Sequence, residues 1–179
     1  MPGKTPFEAV REYRDSLQQS LSCLSRRILR TSGCEPNALH EVVLSQPTAQ
    51  LITRNQEILH LTFVQAFSII EPLWSLPFRF KVRTRAYWYG LEDRHHTEIV
   101  AFHWHPEDTS AIGFPHFHLR QAAGQFRPEL GKIHFRTDRF AFEEFCLLLI
   151  EEFRVIPDRD DAKEVLEKNL KLFKQHKTW

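Results

Sequence analysis

One stretch, PFRFKVRTRAYWYG (77–90), limits the folds open to this chain more than any other. Phe78, Phe80, Val82, Thr84, Ala86 and Trp88 share one parity, and Arg79, Lys81, Arg83, Arg85, Tyr87 and Tyr89 share the other. A period of two is the pattern of a β-strand with one buried face. LEDRHH then turns the chain and TEIVAFHWH (97–105) returns, which predicts a hairpin. LHEVVLS (39–45), AQLITR (49–54) and ILHLTFVQAFSII (58–70) extend the β region upstream, although the second half of 58–70 also fits a helix. HFHLR (116–120) and KIHFR (132–136) extend it downstream. Strands joined by short turns predict an antiparallel sheet.

Helical periodicity is confined to the two ends. At the N-terminus, TPFE supplies a cap at Thr5, a proline in the first turn and Glu8 three residues on. Phe7, Val10, Leu17, Leu21, Leu24 and Ile28 then fall on one stripe. After the sheet, Asp138 is positioned to cap a helix carrying Phe142, Phe145, Cys146, Leu149, Ile150 and Phe153. VIPDRDD breaks it, and a last amphipathic helix places Ala162, Val165, Leu166, Leu170 and Phe173 inward. The expectation is one α+β domain over 1–179: a helix at about 5–31, a sheet at about 38–136, and two helices at about 138–176, packed on one sheet face.

Bulk properties narrow the function classes. A net charge of +1 supplies no global attraction to nucleic acid, so any anion-binding surface must come from local clustering. Cys23, Cys34 and Cys146 form no Cys-x-x-Cys pair and read as free thiols of a reducing compartment. The first residues, MPGKTPFEAVREYRDS, carry charge where a signal peptide needs an apolar core. FCLLLI, the longest apolar run, is far too short to span a bilayer. These features predict a cytoplasmic protein without membrane attachment. No Gly-x-Ser-x-Gly elbow, P-loop or Gly-x-Gly-x-x-Gly motif occurs.

Chemistry is concentrated in AFHWHPEDTSAIGFPHFHLR (101–120) and the KIHFR that follows. Alternation places His116, His118 and Arg120 on one face, with His134 and Arg136 on the same face of a neighbouring strand. His103 and His105 share a face of theirs. If Arg83, Arg85, Tyr87 and Tyr89 join this surface, it is basic, aromatic and histidine-bearing. Three readings follow. In one, Arg83, Arg85, Tyr87, Tyr89, Arg120 and Arg136 bind phosphate or RNA by charge and stacking, and His116, His118 and His134 act as the catalytic acid–base centre. In the second, His103, His105, His116 and His118 hold a divalent metal, since His-x-His on a strand sets two imidazoles about 7 Å apart on one side. His134, Glu107 and Asp108 are further ligand candidates. In the third, the cluster is structural and the chain is a non-catalytic protein-binding module. Nothing in the sequence requires a cofactor.

FPHFHL, a short strand and DRFAFEEFCLLLIEEF resemble, across 78–153, the small bacterial TumE-type toxin–antitoxin proteins. That resemblance implies an α+β domain of a toxin–antitoxin or defence-type locus, an activity directed at nucleic acid or translation, and a small antitoxin-like partner. PHFHL is also similar to the histidine-triad nucleotide hydrolases, but Arg120 stands at the third alternating position and the triad is incomplete.

Overall fold

The computed structural model of the chain describes residues 2–71, 79–106, 112–120, 123–124 and 132–176. Thr5 caps helix α1 (Pro6–Leu21): its Oγ1 accepts from Glu8 N–H at 3.1 Å. The helix ends ten residues before the expected boundary, and Leu29–Thr31 is strand β2. Gln18 explains the stop. Its side chain donates to Arg27 O (2.9 Å) and accepts from Leu29 N–H (2.7 Å), holding the departing chain against the helix. Val10, Leu17, Leu21 and Leu24 are buried as expected, whereas Phe7 and Ile28 are exposed.

Strands β1 (Pro2–Gly3), β3 (Leu39–Leu44), β4 (Ala49–Ile52), β5 (Ile58–Ile70), β6 (Phe80–Glu92), β7 (Glu98–Trp104), β8 (His116–Leu119) and β9 (Phe135–Arg136) join β2 in one antiparallel sheet. Its order is β2-β3-β5-β6-β7-β8-β9, with β4 on the edge of β5 and β1 on β6. The whole of 58–70 is strand, so the helical alternative for its second half is excluded. Helices α2 (Phe142–Glu151) and α3 (Ala162–His176) follow the sheet. The architecture is thus the α+β arrangement expected, with helices at the chain ends and an antiparallel sheet between. Asp138 does not cap α2. The helix starts four residues later, where Glu144 Oε2 accepts from Ala141 N–H at 2.9 Å.

A β-bulge decides which residues the helices cover. Phe67 opposes Thr84 and Ala66 opposes Ala86, so Arg85 is an extra residue in β6. An extra residue reverses the parity of everything after it. Before the bulge Val82 and Thr84 face the helices; after it Tyr87, Tyr89 and Leu91 do. Tyr89 packs against Phe63, Phe142 and Phe145, and Phe145 also meets Phe102 edge-on. Val100, Phe102 and Trp104 of β7 pair with Leu91, Tyr89 and Tyr87 on this side. The opposite face, which no helix among the described residues covers and which is helix-free in that sense, therefore receives Trp88, Gly90, Ala101 and His103.

No helix among the described residues is long and apolar enough to cross a membrane.

Candidate metal centre

Register assembles the histidines. In β7 and β8, His103 lies directly opposite His116, and Ala101 opposite His118. Both pairs point away from the helices because Phe102 and Phe117, stacked at 5.2 Å, point toward them. Directly opposed and diagonal side chains on neighbouring antiparallel strands are the ones that touch. The ring centroids of His103 and His116 are 4.2 Å apart, those of His103 and His118 4.6 Å, and those of His116 and His118 4.9 Å. One potential ligand nitrogen from each lies within 4.8 Å of the other two.

These three imidazoles are buried, with exposures of 5%, 1% and 4%. Each already has one nitrogen occupied. His116 Nδ1 donates to Phe114 O at 2.8 Å, which leaves the lone pair on Nε2. His103 Nδ1 lies 3.1 Å from His105 Nε2; with the hydrogen on Nδ1, the lone pair of His103 is on Nε2. His118 has a backbone hydrogen bond with Ile133. Among the described residues, His103 Nε2 and His118 Nδ1 are buried without any hydrogen-bond partner. An unsatisfied buried polar atom costs about 1–3 kcal/mol. A cation between the rings would satisfy both, so the donor set fits a metal of the zinc class: imidazole nitrogens, each with its other nitrogen anchored.

Electrostatics agree. Burial pushes His103 down to about 3 and His118 down to about 4, reinforced by the neighbouring imidazoles and, for His118, by Arg120. Burial also lowers His116, against the opposing effect of its bond to Phe114. All three are uncharged at neutral pH, the state that binds metal.

His105 and His134 flank this group, half-buried. His134 is centred 4.2 Å from His118 and 5.0 Å from His116, and His105 is 5.1 Å from His103. The five histidines singled out from the sequence are thus brought together, although only three meet the geometry of a shared ion. Glu107 and Asp108 lie outside the described residues.

The expected basic and aromatic set is only partly on this face. Tyr87 and Tyr89 are a correction: the bulge turns them into the core, with exposures of 3% and 0%, and Tyr87 Oη accepts from Phe140 N–H at 3.0 Å. They cannot stack on a base. Arg120 is paired with Glu98 at 3.0 Å. Arg136 is opposite His116 in register, with its guanidinium over the Phe114 ring at 5.2 Å. Arg83 keeps the parity of the helix-free face, and Arg85 is the bulge residue itself. Trp88, assigned by alternation to the buried parity, instead contacts His103 with ring centroids at 4.4 Å. No signal in the alternation marks it, because the bulge is a property of pairing with β5.

Compared with protein-family models, with curated proteins and with solved structures, the chain finds no match in any of the three. The site therefore stands on its own geometry.

Proposed function

We propose that this chain is a metal-dependent enzyme acting on an anionic substrate, with His103, His116 and His118 as the ligands of one zinc-class divalent cation. The observation that carries this reading is the convergence of three buried, uncharged imidazoles whose other nitrogens are already anchored. Three protein ligands leave a coordination position for water, and the bound ion would bring that water's pKa toward neutrality. His116 and His118 then serve as ligands rather than as acid and base. His134 is left for proton transfer, half-buried beside His118. Arg136, across from His116, is placed to hold the substrate's negative charge.

RNA is the second reading of the substrate, and Arg83 and Arg136 on the histidine face favour it. A small antitoxin-like partner belongs with it, as does a toxin–antitoxin or defence-type role. The three free cysteines support a cytoplasmic setting.

The test is an assay of phosphodiester model esters and single-stranded RNA on protein stripped with a chelator and then reloaded with zinc. Hydrolysis should appear only after reloading. His134→Gln should lose roughly 100-fold or more in rate while retaining zinc. Hydrolysis indifferent to the ion, or none on any substrate, counts against the proposal.

A further inference from the structure

One row of side chains crosses the helix-free face in register: Val64 opposite Trp88, Trp88 opposite His103, His103 opposite His116, and His116 opposite Arg136. Neighbouring strands are about 4.8 Å apart, so the step from Trp88 to Arg136 spans roughly 14 Å. The proposed ligands sit in its middle. On one side stands a tryptophan 37% exposed, in ring contact with His103. On the other stands an exposed guanidinium. The exposed part of the indole is thus available to a flat ring beside the polar centre.

The next row is packed closely under that indole. Gly90 and Ala101 are opposite one another and Ala101 is opposite His118. A Cβ added at Gly90 would meet Thr62 Oγ1 at 2.3 Å and Trp88 Nε1 at 3.2 Å. Glycine thus lets the indole edge lie close over the backbone, next to the ligand row.

We propose that the substrate of this centre is a phosphate or carboxylate attached to a flat aromatic ring, the ring stacking on Trp88 and the anion lying between the histidine ligands and Arg136. The proposal rests on the metal reading above. Stacking fits the shape of an indole, and the anion fits the guanidinium and the charge an ion would bring. Trp88 is accordingly a specificity-determining residue.

Two probes separate the parts: phenylphosphonate and methylphosphonate, titrated calorimetrically into zinc-loaded protein whose zinc content is measured in the same samples. The wild type should bind the phenyl compound about tenfold more tightly, within the range expected for stacking on one side chain. Trp88→Ala should abolish the preference with zinc content unchanged, and Trp88→Phe, which keeps a ring, should retain most of it. Arg136→Ala should weaken both probes alike. Full zinc content with equal affinity for the two probes, or a preference that survives Trp88→Ala, overturns this inference and leaves the metal reading standing. Failure of the wild type to take up zinc overturns both.

Discussion

Burying an imidazole without an opposite charge beside it disfavours its protonation, and this sets the behaviour of His103 and His118. Their folded-state values are pushed down to about 3 and about 4, whereas an unfolded imidazole titrates near 6.5. Between about pH 6.5 and pH 4 the unfolded chain therefore binds protons that the folded chain refuses. Stability must fall as pH falls through that window. Above about pH 7 both states are neutral at these positions, and these histidines contribute no pH dependence. Urea midpoints of metal-free protein should decline from pH 7 to pH 4.5. The decline should be shallower in His103→Gln/His118→Gln. A double variant with the wild-type slope would mean that these imidazoles are solvated rather than buried. The bond between His103 Nδ1 and His105 Nε2 belongs to the same scale, because with His103 as the donor its Nε2 lone pair is left for its neighbours.

Elements explain how the chain brings such residues together. Phe145 is wholly buried on α2 and meets Tyr89 and Phe102 of β6 and β7. Phe145→Ala should cost about 3–5 kcal/mol, read as a shift in denaturant midpoint at constant m-value. A loss under about 1 kcal/mol would contradict the packing of α2 on the strands that carry the histidines. Much of this level was legible. The parity of His103 with His105 and of His116 with His118, opposite Phe117, follows from strand alternation alone; which face of 97–105 is buried does not, because both of its faces carry apolar residues. The facing of β6 was not legible beyond Arg85. RTRAYW alternates without interruption, and only its pairing with Ala66 and Phe67 introduces the extra residue. Hence Tyr87 and Tyr89 were expected in solvent and are in the core, while Trp88 was expected in the core and stands beside His103. The end of α1 was hidden for a related reason: the apolar spacing continues to Ile28, but Gln18 bonds the chain beyond the helix and turns it into β2.

At the scale of the whole molecule, the sheet separates two tasks. One face meets α1 through Tyr13 on Phe67, and α2 through an aromatic core of Phe63, Tyr89, Phe102, Phe142 and Phe145. The other, free of helices among the described residues, carries the histidines, Trp88 and Arg136. The buried apolar side chains that hold the fold together lie mainly on the first face, apart from the histidine cluster. That division predicts that removing a ligand should affect metal uptake far more than folding. The most direct measurement is zinc uptake by chelator-stripped protein, as equivalents bound per chain and dissociation constant. Wild type should be compared with His103→Ala, His116→Ala and His118→Ala, each checked for a cooperative unfolding transition. Wild type should bind one equivalent, and each variant that still unfolds cooperatively should bind about 100-fold more weakly or not at all. A wild-type chain that takes up no zinc, or folded variants that bind it as tightly as the wild type, would contradict the proposed metal centre.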